Sequence, residues 1–360
     1  MTSQAPAPRG GVPIPPAHEA RFVGAIRHPE LWLWDSWVMR ADGALHLYCL
    51  ALSRVSLDGR PILPARFNDY RFHYRHFVSS DDGESWRDRG AVLYPGNLAD
   101  GSDNGNVWSG GVHMLKNRRI LYGYTAVEHA SPQRRFIQSP VFAEGGVSGP
   151  THFPEAAQSH PVRDRARIVE AGYYLPEAAE IGSDDGEAGG PILAWRDPFI
   201  FDDHGTLRAV WSAKLGPRQP CVAHAALERC AGEWTATLQP PIRLPDADSY
   251  TQAEVPKLCR LEDDGSWLMM VSACDRLHEG QPDSEVTKGL RLYRAPAVDG
   301  PWAPAFSHGS VIRGVDHLFG ASFLDRAVCG GEVRMIAPYT VKIGLERAMS
   351  FAPVQTVALR

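Results

Sequence analysis

Trp195-Arg196-Asp197-Pro198-Phe199-Ile200-Phe201 is the stretch from which the fold of this chain can be worked out. An Arg and an Asp stand side by side ahead of the apolar run 199–201, and Asp202-Asp203-His204-Gly205 makes a turn before a second run, 207–212. Proline cannot donate to a sheet ladder, so the Asp-Pro pair predicts that Asp197 lies at the rim of a sheet. Taken alone, an Asp-Pro pair is more often a simple turn.

Two further carboxylates have the same setting. Asp35 precedes a predicted hairpin that turns at 41–43, and Glu254 precedes one that turns at 262–265. Both turns contain Asp and Gly, which are typical of β-hairpins. We therefore predict that Asp35, Asp197 and Glu254 occupy equivalent positions in three hairpins. They would converge if the hairpins are arranged radially.

The composition indicates a globular chain without a nucleic-acid or membrane partner. The 360 residues are 44% hydrophobic and 22% charged, which allows a large core. The formal net charge is −5 and no basic run occurs, so we expect no nucleic-acid partner. No apolar stretch approaches the ~18 residues of a membrane helix. Six scattered cysteines without a Cys-x-x-Cys pair favour free thiols, and neither a metal nor a cofactor is predicted.

The N-terminal residues differ from the rest of the chain. Residues 1–20 are rich in Pro and Ala and are predicted to form a flexible tail, followed by one domain over residues 21–360. The first residues lack the basic-then-apolar pattern of a signal peptide, so we expect a cytoplasmic protein, with leaderless export left open. The oligomeric state is not determined by these patterns.

Short apolar and aromatic runs between Gly, Asp and Pro turns dominate the chain, and helical periodicity is nearly absent. Five inner hairpins can be counted, beginning at Val38, Val112, Phe199, Leu258 and Phe319. Five units in about 340 residues leave roughly 70 residues each, enough for the four strands of a propeller blade. The pattern predicts an all-β fold, a five-bladed β-propeller with a central pocket, closed by a strand over residues 348–358.

Two regions outside the acid motifs carry their own predictions. Trp108-Ser109-Gly110-Gly111 combines an aromatic face, a hydroxyl and small glycines at a strand start, and we interpret it as a platform for a sugar. Residues 143–190 are predicted to form a long connection over the pocket face. Within it, residues 167–175 are compatible with either a strand or a helical turn.

These motifs, in this order, resemble glycoside hydrolase family 68, which contains levansucrases, inulosucrases and bacterial β-fructofuranosidases. The resemblance covers the chain from about Arg27 onward. It rests on Trp34-Asp35-Ser36-Trp37, Trp108-Ser109-Gly110, Arg196-Asp197-Pro198 and Glu254-x-Pro256. It implies a five-bladed propeller whose central pocket holds a fructosyl unit, and a small carbohydrate substrate such as sucrose or a fructan. Residues 21–360 would then be a catalytic domain.

The resemblance also implies a role for each motif residue. Asp35 would be the nucleophile, Asp197 the transition-state stabiliser and Glu254 the general acid/base. The residues implied for substrate binding are Trp34, Trp108, Ser109, Arg196, Gln252 and Arg276. Furanoside cleavage passes through an oxocarbenium-like state, so one carboxylate attacks the anomeric carbon while an acid protonates the leaving oxygen. A third carboxylate, kept ionised by the neighbouring Arg, would stabilise the positive charge.

The acid/base motif departs from the family pattern. Family members usually carry Glu-x-Glu-Arg-Pro, whereas this chain has Gln252-Ala253-Glu254-Val255-Pro256. We predict that Gln252 and Val255 affect substrate choice more than rate. The expected activity is a retaining hydrolase or transglycosylase acting on β-fructofuranosides through an ester on Asp35. Two alternatives stay open. One is an arabinanase- or xylosidase-like propeller glycosidase that acts on another furanoside or pentose sugar and could invert the anomeric configuration. The other is a non-catalytic glycan-binding propeller.

Overall fold

The computed structural model describes residues 12–154, 158–183, 186, 190–230, 233–340 and 347–359. The first eleven residues of the predicted tail, and the acidic positions 184, 185 and 187 of the predicted long connection, lie outside this part of the chain. The described residues form five β-sheets and a single α-helix, α1 (Arg165–Glu170), together with short 3₁₀ turns. The predicted all-β class is confirmed. No helix within the described ranges is long and apolar enough to cross a membrane.

The first three sheets follow one another along the chain. The first contains β1 (Arg21–Val23), β2 (Leu31–Ala41), β3 (Ala44–Ser53), β4 (His73–Ser79) and β5 (Ser85–Leu93), in the spatial order β1-β5-β4-β3-β2. The second contains β6 (Asn106–Met114), β7 (Ile120–Glu128), β8 (Ile137–Gly146) and β9 (Gly149–His152). The third contains β10 (Arg196–Asp203), β11 (Thr206–Gly216), β12 (Gln219–Cys230) and β13 (Glu233–Leu238). The second and third sheets are four-stranded meanders.

The last two sheets are interlocked. The fourth contains β14 (Gln252–Leu261), β15 (Trp267–Cys274), β16 (Lys288–Ala295) and β17 (Ala303–Pro304). The fifth contains β18 (Ser322–Phe323), β20 (Glu332–Ile336) and β21 (Gln355–Ala358). Between β18 and β20 the chain forms β19 (Ala327–Val328), which leaves the fifth sheet and pairs in parallel with β14 of the fourth.

The sheets are arranged as the five blades of a propeller. The first strands of the blades, β2, β6, β10, β14 and β18, each contact the first strands of the two neighbouring blades and so close a ring around the central axis. Five hydrophobic clusters fill the five spaces between adjacent blades. Successive side chains of a strand point to opposite faces, so Ile200 packs toward the second blade while Phe199 and Phe201 pack toward the fourth. The predicted five-bladed propeller is confirmed.

The inner strands start earlier than predicted. β2 begins at Leu31 rather than at Val38, and β14 begins at Gln252 rather than at Leu258. The three acids therefore lie inside the inner strands and not ahead of them. Pairing continues past each acid because the strand absorbs the irregular residues as a bulge.

The fifth blade is the least regular, and its prediction needs correction. The predicted inner strand is only Ser322–Phe323, and the predicted closing strand over residues 348–358 is only Gln355–Ala358. Pro353 lacks the N–H that a strand pairs through, so regular pairing begins beyond it. Ahead of it, Phe351 makes isolated bridges with Ile26 and Pro338, which join the C-terminal residues to the first blade.

Two segments lie differently from their predictions. The described part of the 143–190 connection completes the second blade, forms α1, and packs Ile168 and Tyr173 into the cluster between the second and third blades. It therefore packs beside the blades instead of over the pocket. The described part of the tail contacts the first blade, where the carbonyls of Pro15 and Pro16 accept hydrogen bonds from the buried Arg75.

Candidate active site

Four β-bulges on the inner strands place the predicted site residues. The register shifts between Trp34 and Ser36, between Trp108 and Gly110, between Arg196 and Phe199, and between Glu254 and Lys257. Asp35, Ser109 and Asp197 lie inside three of these bulges, and Glu254 borders the fourth. A bulge breaks the alternation of a strand and redirects a side chain, and here each one turns a polar residue toward the axis.

Two of the bulged residues have backbone conformations that are costly for side chains. Asp197 has a φ of 67°, and Val255 has a φ of 44°. Such positive values are uncommon outside glycine and are strained for a β-branched residue. The conformation has a use at Val255, because its N–H donates to Asp197 Oδ2 at 3.1 Å.

The bulges open onto a central cavity of about 490 Å³. This volume suits a small ligand. The predicted residues that border the cavity are Asp35, Asp197, Glu254, Trp34, Trp108, Ser109, Arg196 and Arg276. Residues from four separate blades thus meet at one site. Gln252 and Val255 are buried and do not border the cavity in the described structure.

Asp35 is held from two sides. Ser109 Oγ donates to Asp35 Oδ2 at 2.5 Å. On the other side lies Gly320 of the fifth blade, where a Cβ would come within 2.1 Å of Asp35 Oδ1. Burial raises the pKa of Asp35 above its usual range, while the Ser109 hydrogen bond opposes that rise.

Asp197 is held by uncharged donors. Ser212 Oγ donates to Asp197 Oδ2 at 3.0 Å, and the Arg196 Nε lies 3.6 Å from the same oxygen. Burial raises the pKa of Asp197 to about 7, because the attraction of Arg196 does not offset desolvation and the nearby negative charges of Glu254 and Asp35. This differs from the expectation that Arg196 keeps the carboxyl ionised. That expectation considered the charge of Arg196 but not the burial of the Asp197 carboxyl, which raises its pKa.

Arg196 joins residues of the second, third and fourth blades. Its Nη2 donates to Glu254 Oε1 at 2.9 Å and to Gln252 Oε1 at 2.7 Å. Its Nη1 donates to Gln138 Oε1 at 3.0 Å and to Glu279 Oε1 at 3.3 Å. The guanidinium therefore holds the predicted acid/base from one side. Gln252 acts on the site through this bond to Arg196 and not by facing the cavity.

Glu254 and Arg276 complete the predicted set. The Cys274 thiol donates to Glu254 Oε1 at 3.2 Å, so this oxygen accepts from both Cys274 and Arg196. Arg276 borders the cavity, but its guanidinium donates to Gln281 O at 2.7 Å and to Asp283 Oδ1 at 2.6 Å. It thereby holds its own loop together.

The two aromatic candidates have different surroundings. Trp34 packs edge-on against Phe72, with ring centroids 4.7 Å apart. Trp108 is 7% exposed and packs against Phe136 at 5.6 Å. Both border the cavity, so the interpretation of Trp108 as a sugar platform is compatible with its position. Both are also part of the cluster between the first and second blades.

Solved structures share this architecture, at low sequence identity. An inulosucrase from Halalkalicoccus jeotgali, bound to kestose, matches with a TM-score of 0.63 at 18% identity, over 99% of this chain and 91% of the other. Bacillus subtilis levansucrase matches with a TM-score of 0.60 at 13% identity, over 92% of this chain and 85% of the other. A B. megaterium levansucrase variant matches with a TM-score of 0.59 at 14% identity, over 93% of this chain and 86% of the other.

This chain has the levansucrase and inulosucrase fold. The resemblance to glycoside hydrolase family 68 seen in the motifs is thereby confirmed at the level of the fold. No family model matches the sequence, and no curated protein matches it either. The similarity to the levansucrase fold therefore lies in the arrangement of the backbone, at sequence identities of 18% or less.

Three residues of this site were missed by sequence reasoning. Glu279 lies in the connection after β15, Gly320 precedes β18, and Lys257 follows the acid/base motif. The buried Lys257 Nζ donates to Gly110 O at 3.2 Å and lies 5.3 Å from the centre of the Phe199 ring. A signal was present for Lys257 alone, since a Lys inside an otherwise apolar inner strand is unusual.

The electrostatics beneath the acids depend on Lys257. Burial lowers the pKa of the Lys257 ammonium to about 7, although Asp197 and Asp35 attract its charge. The positive charge of Lys257 in turn lowers the pKa of Asp35. Within the described residues, no group of three or more His, Cys, Asp or Glu side chains is placed to hold a metal ion.

Proposed function

We propose that this protein is a retaining glycoside hydrolase or fructosyltransferase that acts on β-fructofuranosides. The observation that carries the proposal is the convergence of Asp35, Asp197 and Glu254 from three blades on one cavity. A binding module needs no such set of acids, whereas glycoside cleavage needs a nucleophile and an acid. The structural relatives support the substrate class, because the inulosucrase structure holds kestose and levansucrase structures hold sucrose or oligosaccharides.

In the first step, Asp35 attacks the anomeric carbon of the fructosyl unit while Glu254 protonates the leaving oxygen. Ser109 orients the attacking carboxylate through its hydrogen bond to Oδ2. The proton that Glu254 gives up resides on Oε2, because Oε1 already accepts from Arg196 and Cys274. Asp197, when ionised, stabilises the positive charge of the oxocarbenium-like state.

In the second step, Glu254 removes a proton from water or from an acceptor hydroxyl, which then displaces Asp35 from the fructosyl ester. Water gives hydrolysis, and a sugar hydroxyl gives transfer. Two displacements at one carbon restore its configuration, so the product keeps the β-anomeric form.

The test is turnover of sucrose and of 4-nitrophenyl β-D-fructofuranoside, with the first anomer released followed by NMR. We expect β-fructose before mutarotation. An α-anomer as first product would move the protein to the inverting alternative among propeller glycosidases. Lack of turnover on these fructosides, with turnover on arabinofuranosides or xylosides, would replace the substrate class. Binding of glycans without any turnover would leave the glycan-binding alternative.

A further inference from the structure

The connection between β15 and β16, residues 275–287, forms one wall of the cavity. Seven of its residues border the space, among them Arg276, Glu279 and Asp283. The connection is tied down by Arg276 and Lys288, which both pair with Asp283. Glu279 is the carboxylate of this wall that reaches inward to Arg196, and its side chain is 7% exposed.

Glu279 is one of three carboxylates that surround the Arg196 guanidinium. Arg196 forms ion pairs with Glu254 at 2.9 Å, Glu279 at 3.3 Å and Asp197 at 3.6 Å. Position 252, which touches the same guanidinium, is a neutral Gln. A fourth carboxylate at this buried site would add uncompensated negative charge, which is costly away from water.

The surroundings of Gln252 also exclude a carboxylate there. Gln252 Nε2 donates to the carbonyl of Arg276 at 3.0 Å, while its Oε1 accepts from Arg196. A Glu at this position would turn an acceptor oxygen toward a carbonyl oxygen. Besides Glu254 and Asp197, the negative charge that pairs with Arg196 is therefore supplied by Glu279 of the wall and not by position 252. This arrangement places Glu279 beside the acid/base and at the surface of the cavity.

We propose that Glu279 is a specificity-determining residue that binds the leaving group, and that the leaving group is a hydroxylated sugar. The inference rests on the proposed function. Glu254 and Glu279 bind the two terminal nitrogens of the same guanidinium, so the leaving oxygen that Glu254 protonates lies on the side of Glu279. A carboxylate accepts hydrogen bonds from sugar hydroxyls. An aryl or alkyl leaving group offers no hydroxyl donor to Glu279, so replacing this carboxylate weakens binding of a sugar leaving group more than of an aryl one.

The experiment compares kcat/KM for sucrose with kcat/KM for 4-nitrophenyl β-D-fructofuranoside in the wild type, Glu279→Gln and Glu285→Gln. Glu285 lies on the same connection and is exposed, so it is the matched control. We expect Glu279→Gln to lower kcat/KM for sucrose roughly 10- to 100-fold, the loss expected for one charge-assisted hydrogen bond. The value for the aryl fructoside should change less than about 3-fold, within the small effect of losing a contact that the substrate does not use.

Equal losses on both substrates would overturn the inference, because Glu279 would then act only by holding Arg196. Unchanged values on both, or a wild type that cleaves the aryl fructoside but not sucrose, would overturn it as well. All three outcomes leave the proposed function standing. A wild type that cleaves neither fructoside would overturn the proposed function, and this inference with it. If Glu279→Gln does not fold, Glu279→Asp, which keeps the charge and withdraws it by one methylene, replaces it with the same expected loss of selectivity.

Discussion

Asp35 accepts its hydrogen bond from a serine, whereas Glu254 accepts from an arginine and a thiol. The serine supports a buried anion without supplying a full countercharge, which in the proposed mechanism would keep the carboxylate available for attack. The arginine occupies one oxygen of Glu254 and leaves the other to exchange a proton. At the residue scale, the different neighbours of the three acids are what would divide the chemistry among them.

Asp35→Ala and Glu254→Ala are expected to abolish or nearly abolish turnover of natural fructosides. Loss of the nucleophile removes the ester step, and loss of an acid/base costs about 10²- to 10⁴-fold. Purified variants are assayed on sucrose, with circular dichroism and thermal unfolding to confirm the fold. Asp248→Ala, an exposed acid outside the cavity, is the matched control. Retained activity in either folded variant would remove that residue from the mechanism.

The activity should fall as the pH drops through about 7. Burial raises the pKa of Asp197 to about 7, so below that value the carboxyl is protonated and no longer stabilises positive charge. Lys257→Met is expected to move this acid limb to higher pH, because the Lys257 ammonium attracts the carboxylates of both Asp197 and Asp35 and its removal disfavours both anions. The measurement is kcat/KM against pH, with exposed Lys116→Met as control. An unshifted limb in folded Lys257→Met would contradict the electrostatic role.

At the element scale, the bulges determine which side chains of the inner strands point toward the central axis. A regular strand would send Asp35 and Ser36 to opposite faces, both between blades, where the neighbouring side chains are apolar. The bulge at Asp35 leaves one residue out of the ladder and frees it to point along the axis. The fifth blade leaves room for the Asp35 side chain at Gly320, which has no side chain of its own.

Gly320→Ala is expected to lower kcat at least about 10-fold with a smaller effect on KM, because displacing a nucleophile by an ångström is costly. A Cβ at this position would lie 2.1 Å from Asp35 Oδ1. Gly314→Ala is the control, since it has a similar φ of 78° and open space around its Cβ. The two variants share the cost of a positive φ and differ in the clash. Equal kinetics in both would show that Asp35 tolerates the added methyl group.

At the scale of the whole molecule, Arg326 links the blades at the axis. Its guanidinium donates to the carbonyls of Val38, Val112 and Ile200, which belong to the first, second and third blades. Its own carbonyl accepts from Arg260 N of the fourth blade, and Arg326 itself follows β18 of the fifth. One side chain thus ties together backbone from around the ring, at the cost of burial, which lowers its pKa to about 9.

Arg326→Met is expected to lower the free energy of unfolding by about 3 kcal/mol or more. It would leave three carbonyls without their donor, at roughly 1–3 kcal/mol each where they are buried. Urea unfolding followed by fluorescence measures the change, and exposed Arg313→Met is the control. A change below about 0.5 kcal/mol, the range of ordinary surface substitutions, would show that the link is not needed for stability.

The fold class, the number of blades and the meeting of three acids at one cavity could all be predicted from the sequence. These features rest on local signals: Asp-Gly turns between apolar runs, and acids at fixed positions relative to those runs. The same local signals placed the strand starts too late, because a bulge resembles a break in a strand when the pairing strand is unknown. It also overestimated the strands of the fifth blade, where pairing depends on the neighbouring blade more than on local pattern.

The contacts that support the site could not be predicted from local patterns, because they join segments that are distant along the chain. Glu279 lies 83 residues from Arg196 along the chain, and no local pattern relates the two. Gln252 appeared to face the substrate, yet it lies behind Arg196, because the direction of a side chain beside a bulge depends on the register of the pairing strand. The raised pKa of Asp197 likewise comes from burial among five blades, which a neighbouring Arg in the sequence does not reveal. Contacts between distant segments form only when the ring closes, and they set the charge and the shape of the cavity.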